Sequence, residues 1–163
     1  MNKELRVETL QETKLIGKRS FMSFSQNKTK ELWQGFMPQK GNIKNTTDSD
    51  LYSVEVFDID FFKIFNPANL FEKWAAVKVK NFDSVPEGME TLTIPKGLYA
   101  VFLYKGKASD ASPIYEYIFN TWLPDSDYHL DNRPHFALMG KKYRNEDPES
   151  EEELWIPICG DIR

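Results

Sequence analysis

Residues 110–124 read DASPIYEYIFNTWLP, and this stretch has the periodicity of a helix that packs on a sheet. At about 100° per residue, its large apolar side chains fall within one half of the circumference, and Glu116 lies among the polar side chains of the other half. Asp110 or Ser112 is suited to cap the helix, and Pro113 fits its first turn. The apolar half contains Ile114, Tyr115, Ile118, Phe119, Trp122 and Leu123. We therefore predict an amphipathic helix whose rings mostly belong to a hydrophobic core.

Strand patterns stand on both sides of this helix. GLYAVFLYKG at 97–106 comes before it, and RPHFALMGKKY at 133–143 and EELWIPIC at 152–159 come after it. All three segments are rich in residues that favour strands. The second half of the chain is therefore predicted to have the element order β-α-β-β.

The first half of the chain has the same order of elements without a visible repeat of residues. A segment with imperfect strand alternation at 5–22 precedes a helix pattern at 23–41, and strand patterns follow at 51–59 and 73–82. The segment 85–95, VPEGMETLTIP, is predicted to join the two halves.

The repeated element order leads to a prediction of the α+β fold class. Duplicated β-α-β-β modules, as pseudo-repeats at about 5–85 and 96–159, are expected to form one antiparallel sheet with two main helices. The length of 163 residues is typical of a single domain, which we expect to span residues 1–163.

Composition argues against several classes of partner. The net charge is −4, and the acidic run NEDPESEEE at 145–153 follows the basic stretch GKKYR and would repel a phosphate backbone. Direct binding of nucleic acid is therefore not expected. No run approaches the roughly 20 apolar residues of a membrane span, and the N-terminus lacks the apolar core of a signal sequence. We therefore expect a cytoplasmic protein without a membrane association.

The residue types that metal sites and catalysis require are poorly represented. The chain has one cysteine, Cys159, and its two histidines, His129 and His135, lack the spacing of metal ligands. The sequence contains no phosphate-binding glycine loop and no nucleophile elbow. No metal, cofactor or catalytic residue is therefore predicted.

Glu55 lies in the middle of the strand pattern YSVEVFD. If the face that carries Leu51, Ser53, Glu55 and Phe57 is enclosed, Glu55 becomes a buried acid among aromatic rings, which is a natural receptor for a lipophilic cation. The alternative is that this face is exposed and Glu55 is simply solvated. The acidic run PESEEE at 148–153 is predicted to be a solvated loop before the last strand.

Three longer strings together carry a family resemblance. They are PEGMETLTIPKGLYAVFLYKG at 86–106, IYEYIFNTWLPDSDYHLDNRPHFALMGKKY at 114–143 and DPESEEELWIPI at 147–158. They resemble the GyrI-like effector-binding domains, which include the ligand-binding halves of AraC- and MerR-type transcription activators and stand-alone integron-associated proteins. The resemblance is strong over 86–158 and looser in the first half, where KELWQGF and LYSVEVFD carry it.

The resemblance implies a pair of β-α-β-β modules with a central ligand groove between them. Drug-sensing members of the family bind lipophilic, often cationic, compounds in an aromatic pocket that contains an acidic residue. The residues expected at this groove are Trp33, Phe36, Tyr52, Glu55, Tyr99 and Trp122.

The sequence departs from the family pattern after its RP dipeptide. In RPHFALMG, Ala137 stands where many relatives carry the ligand-facing glutamate, and Met139 stands where a tyrosine is common. Either another residue supplies the acid, with Glu55 as the first candidate and Glu116 as the second, or the ligand is neutral.

The favoured function is a small-molecule-binding protein for lipophilic compounds, including cationic ones, with a link to transcription regulation. No room for a helix-turn-helix is visible before the first strand pattern. One alternative is a hydrolase of small electrophiles in which Glu55 acts with Tyr52 or Tyr99. The other is a gyrase-inhibitor-like module that contacts a protein partner through the acidic surface at 149–153.

Overall fold

The computed structural model describes residues 5–160, in which nine strands pair antiparallel and two main helices cover part of the sheet. The strands are β1 (Leu5–Leu10), β2 (Thr13–Met22), β3 (Leu51–Val56), β4 (Phe71–Val79), β5 (Glu90–Ile94), β6 (Gly97–Lys105), β7 (Tyr128–Leu130), β8 (His135–Met139) and β9 (Glu151–Gly160). The strand order is β1-β6-β9-β8-β3-β4-β2-β5, and β7 pairs with β9.

Both helices are short, and the helix type changes along each of them. Helix α1 (Thr29–Phe36) continues into 3₁₀ turns at Met37–Asn42, which contain Pro38. Helix α2 (Ser112–Tyr117) passes through a π-helical turn at Ile118–Trp122 into the short helix α3 (Leu123–Asp125). Over residues 5–160, no helix has the length and apolar character needed to cross a membrane.

The fold contains two modules with the order β-α-β-β, as predicted. The strands of β2-α1-β3-β4 are neighbours in the sheet, and so are the strands of β6-α2-β8-β9; the modules meet where β3 pairs with β8. Strand β1 precedes the first module but pairs with β6 of the second, and β5 precedes the second module but pairs with β2 of the first. The predicted α+β fold class is confirmed.

Two short connections force the sheet to curve. Only Gln11 and Glu12 separate β1 from β2, and only Pro95 and Lys96 separate β5 from β6, although each connection joins opposite ends of the strand order. Two residues span no more than about 10 Å, so the two ends of the sheet must approach each other. The face away from the helices therefore encloses an apolar cluster that reaches across the sheet and contains Leu15, Tyr52, Val54, Trp74, Ile94, Tyr99, Val101, Phe136 and Trp155.

The helices cover separate parts of the other face. Leu32 and Phe36 of α1 pack with side chains of β2 and β4, in a cluster that includes Ile16 and Ala75. Ile114 of α2 and Ile118 of the π-helical turn pack in a second cluster with Phe102, Leu154 and Ile156 of β6 and β9. The central strands β3 and β8 thus lie between the two helices.

Two local predictions were incomplete and one was wrong. The segment 5–22 is not one strand region, because it is divided by the turn at Gln11 and Glu12. The segment 85–95 is more than a connection, because it contains β5. Neither Asp110 nor Ser112 caps α2; the capping position is Ala111, and no side chain bonds there. Local patterns missed these features because they depend on pairing with distant strands and on the preceding 3₁₀ turn at Ala108–Asp110.

We expect Gly17→Ala to lower the free energy of unfolding by about 2 kcal/mol, because the new methyl group would overpack the sheet. A Cβ at Gly17 would lie 2.0 Å from the carbonyl oxygen of Ala75 and 2.7 Å from the Cα of Ala76 on β4. Urea denaturation measures the change.

Gly35→Ala is the matched control, since a Cβ at this position in α1 meets nothing within 4 Å. Alanine in a helix is favoured over glycine by roughly 0.5–1 kcal/mol, so this variant should be slightly more stable than the wild type. Equal effects of the two substitutions would contradict the close approach of β2 and β4.

Candidate ligand-binding groove

The strand pair β3–β8 forms the floor of a groove between α1 and α2. In this antiparallel pair, Glu55 lies directly opposite His135 and Ser53 lies directly opposite Ala137. Directly opposite residues point to the same face of a sheet, so all four side chains face the helices. Ser53 and Ala137 are both small, and Ser53 is buried.

Glu55 is paired with a cation inside this groove. Its carboxylate lies 3.4 Å from the ammonium group of Lys73 on β4, and the two side chains are only 19% and 12% exposed. The strand register agrees with this ion pair, because Lys73 lies directly opposite Glu55 in the β3–β4 pair. Glu55 and Lys73 together therefore contribute almost no net charge to the groove.

Glu152 is a second acid on the same face and has no such partner. It lies opposite Tyr104 in the β6–β9 pair, and Tyr104 belongs to the cluster under α2. Burial raises the pKa of Glu152 from its ordinary value of 4.5 to about 7, and the charge of Lys73 offsets this only in part. Within residues 5–160, nothing forms a hydrogen bond or ion pair with this carboxylate.

Tyr115 of α2 lies within the electrostatic influence of both acids. Burial raises the pKa of its hydroxyl well above the ordinary value, and the negative charges of Glu55 and Glu152 raise it further. The phenol is therefore within electrostatic reach of both carboxylates and remains protonated at neutral pH. The centre of the groove combines a phenol donor, one salt bridge and one unpaired acid.

Aromatic rings close one end of the groove. One turn after Tyr115, the ring of Phe119 stacks against Phe62 at 5.2 Å between centroids. Phe62 belongs to the connection between β3 and β4 and also contacts His135, at 5.8 Å. Burial and the nearby Arg133 charge lower the pKa of His135 to about 3, so its imidazole is neutral and acts as a flat ring.

Comparison with known proteins agrees with this architecture. The model of the Cass2 family, described as integron-associated effector binding protein, matches residues 6–158. The chain belongs to this family. The predicted resemblance is thereby confirmed, and the domain is an effector-binding domain of the GyrI-like type.

This Cass2-family domain is similar in sequence to a transcriptional regulator and similar in structure to two solved proteins. The transcriptional regulator BrlR of Pseudomonas aeruginosa is 26% identical over 146 residues, which are 88% of this chain and 51% of the regulator, so the chain spans about half the length of that relative. The structure of SAV2435 bound to tetraphenylphosphonium has a TM-score of 0.72 at 16% identity, covering 96% of this chain and 94% of the other. An integron cassette protein of Vibrio cholerae has a TM-score of 0.70 at 12% identity, covering 97% and 98%.

The structure brings only part of the predicted site of the Cass2-family domain together. Glu55 lies on the groove floor. Trp33 is half-buried on α1 and meets Phe36 edge-on at 5.7 Å, whereas Phe36 itself is fully buried in the core. Trp122 packs on Phe102, away from the central strands. The ligand-binding roles of these residues remain predictions.

Tyr52 and Tyr99 lie on the face of the sheet that points away from the helices. Both belong to the cluster enclosed by the curved sheet, and the hydroxyl of Tyr99 donates to the carbonyl oxygen of Pro134 at 2.7 Å. The alternative enzyme that paired Glu55 with Tyr52 or Tyr99 is therefore wrong, because these side chains lie on opposite faces.

Sequence reasoning missed the residues that the structure places at the centre of the groove. The acidic run was predicted to be a solvated loop, but Glu151 begins β9 and Glu152 is half-buried. Tyr115 and Phe119 were assigned to the apolar half of their helix, and their spacing of four residues is the signal that they share one face. Glu116, the second candidate acid, is exposed.

We expect Glu152→Gln to stabilise the protein at pH 8 and to leave its stability unchanged at pH 4. The folded protein keeps the Glu152 proton up to a pH of about 7, whereas the unfolded chain releases it near 4.5. Wild-type stability should therefore fall, relative to the variant, as pH rises through this window, by about 1–3 kcal/mol once solvent screening is considered.

Urea denaturation of both proteins between pH 4 and 8 measures this difference. Glu116→Gln serves as the control, because Glu116 lies on the same helix as Tyr115 but is exposed. If Glu152→Gln and Glu116→Gln show the same pH dependence, Glu152 is solvated and the groove contains no unpaired acid.

Proposed function

We propose that this domain binds lipophilic cations in the groove between α1 and α2, with Glu152 as the acid that recognises the positive charge. The observation that carries the proposal is the unpaired carboxylate of Glu152, whose pKa burial raises to about 7, on the helix-facing side of the sheet. Membership of an effector-binding family supports the proposal. So does the related fold of SAV2435, whose structure contains bound tetraphenylphosphonium.

The charges of the groove favour a ligand that carries a single positive charge. Because Lys73 neutralises Glu55, the ionised form of Glu152 leaves one net negative charge near Tyr115. A small hydrated ion gains little there, since it must give up its water to enter a partly buried site. An organic cation with an apolar surface loses less hydration, and it gains from aromatic contacts as well as from the carboxylate.

The departure at Ala137 fits this assignment. Ala137 and Ser53 lie directly opposite each other on the floor, so a small side chain occupies the position where relatives carry their glutamate. We infer that the acid has moved from β8 to β9. The alternative of a purely neutral ligand leaves the unpaired Glu152 without a role.

We also propose that ligand binding by this domain is coupled to transcription regulation. About half of the length of BrlR, a transcriptional regulator, matches this chain. A domain that changes its protonation and packing on binding a ligand is suited to report that ligand to an attached or associated partner.

A second candidate function is hydrolysis of a small electrophile by Glu152 and Tyr115. A carboxylate with a pKa of about 7 is suited to take a proton from water, and the protonated phenol of Tyr115 can donate to a leaving oxygen. With styrene oxide as the probe, this function predicts diol formation that both Glu152→Gln and Tyr115→Phe abolish. Absence of turnover in the wild type would exclude it for epoxides.

We expect tetraphenylphosphonium to bind the wild-type protein about tenfold more tightly at pH 8 than at pH 6, because Glu152 ionises between these values. Glu152→Gln should weaken binding at pH 8 by about tenfold and remove the pH dependence. Isothermal titration calorimetry measures both effects, with triphenylphosphine oxide as the neutral comparison.

Glu116→Gln is again the control and should bind like the wild type. Equal affinity for the phosphonium ion and the neutral oxide would contradict recognition of charge by Glu152. Absence of binding to either compound at millimolar concentration would contradict the proposed function itself.

A further inference from the structure

Strand β1 lies at one end of the sheet. It pairs with β6 along one edge, from Leu5 opposite Phe102 to Leu10 opposite Gly97. Within residues 5–160, no strand pairs with its other edge. All residues of β1 before Leu10 are exposed. A row of backbone amide and carbonyl groups along this edge is therefore available to another strand.

The sequence of β1 lacks features that commonly protect an edge strand. LRVETL contains no proline, its two charges are of opposite sign, and its pairing with β6 runs through all six residues without a bulge. Strand β5, at the other end of the strand order, has five residues and is followed directly by Pro95. Of these two strands, β1 is the better suited to accept a further strand.

The side chains of β1 divide between the two faces of the sheet. Leu5 and Val7 lie opposite residues of the cluster under α2, so they face the helices, and they are 40% and 41% exposed. Arg6 and Glu8 point to the other face, where the guanidinium of Arg6 donates to the carboxylate of Glu8 at 2.7 Å. It also donates to Glu153 on β9 at 3.0 Å. The edge thus carries apolar side chains on one face and two opposite charges on the other.

A second copy of this chain fits the charges of this edge. When two identical strands pair antiparallel about a two-fold axis, the residue at the axis lies opposite its own copy, and opposite side chains share a face. An axis at Arg6 would place two arginines opposite each other, and an axis at Glu8 would do so with two glutamates. An axis at Val7 instead places Arg6 of each copy opposite Glu8 of the other. Because opposite charges stabilise a directly opposite pair and like charges destabilise it, the register at Val7 is favoured.

We propose that β1 is a dimerisation edge at which two copies of this chain pair antiparallel, with Val7 at the two-fold axis. The pairing joins two nine-stranded sheets into one continuous sheet, with the helices of both copies on the same face. It does not depend on the proposed ligand, because β1 lies beyond β6 and takes no part in the groove between α1 and α2.

The contacts of Arg6 within one copy do not oppose this pairing. Its ion pair with Glu8 is exposed, with side chains 48% and 46% accessible, and contributes little to the stability of the single chain. Directly opposite residues have Cβ atoms about 4.5–5.5 Å apart, whereas alternate residues of one strand are about 6.6 Å apart. Arg6 can therefore exchange its own Glu8 for that of the other copy and keep its bond to Glu153.

Sedimentation velocity across a range of protein concentrations tests the proposal. An interface of one strand pair is small, so we expect a monomer–dimer equilibrium with a dissociation constant of about 10–100 μM. Glu8→Arg should weaken the dimer at least about tenfold, because each Arg6 then meets an arginine of the other copy. Arg6→Glu should have the same effect, because each Glu8 then meets a glutamate.

An equimolar mixture of these two variants should restore the dimer. Each variant repels its own copies, but an acidic β1 and a basic β1 complement each other, so the mixture should form heterodimers at least as readily as the wild type dimerises. Glu90→Arg is the matched control, because Glu90 is also exposed and paired with an arginine, Arg19, at 2.8 Å, but lies on β5. This variant should dimerise like the wild type.

A wild type that remains monomeric up to about 500 μM would overturn the proposal. So would growth beyond the dimer, which is the outcome of head-to-tail pairing between β1 and β5. Equal weakening by Glu8→Arg and Glu90→Arg, or a mixture that stays monomeric, would also contradict it. If thermal melting shows that either variant of the mixture is unfolded, Val7→Lys and Val7→Glu replace them, since each alone places like charges at the axis and their mixture pairs opposite charges.

Discussion

The two short connections at the ends of the sheet constrain the rest of the structure. Because β1–β2 and β5–β6 each join opposite ends of the strand order through two residues, the sheet must curl. The curled face becomes closed and takes up Tyr52, Tyr99, Phe136 and Trp155 as core. The helices cover the other face, and its central strands β3 and β8 lie between them.

The electrostatics of the groove reflect a balance between stability and function. One acid, Glu55, is neutralised by Lys73, whereas Glu152 is held in a partly buried position without a partner and has a raised pKa as a result. An unpaired acid in such a position lowers stability at neutral pH, and a protein that needed only stability would gain by replacing it. The proposed cationic ligand would relieve this cost by pairing with Glu152.

The aromatic residues divide into two groups with different physical roles. Rings on the curled face, such as Trp155 and Phe136, are stacked inside the core and almost fully buried. Rings at the end of the groove, such as Phe62 and Phe119, are half-buried and meet across a connection with an exposed outer side. The high aromatic content thus provides a core for a thin, curved sheet and a group of half-buried rings beside the groove.

The sequence by itself determined the α+β class, the repeated β-α-β-β order and the family, because periodicity along each segment and the spacing of the motifs are local properties. It also offered Glu55 as a candidate groove residue, since strand alternation assigns its side chain to one face, but it left open whether that face is covered. Local pattern did not identify Glu152, because the acidic run reads as a solvated loop until β9 pairs with β6 and places this side chain under α2. Strand alternation already separates Tyr52 from Glu55, which lie three residues apart on β3. Local pattern did not indicate that Tyr99 belongs to the closed face, because the face that becomes closed depends on which distant strands meet. The tertiary structure alone decided those positions, since burial and charge neighbours arise only when strands far apart in the chain come together.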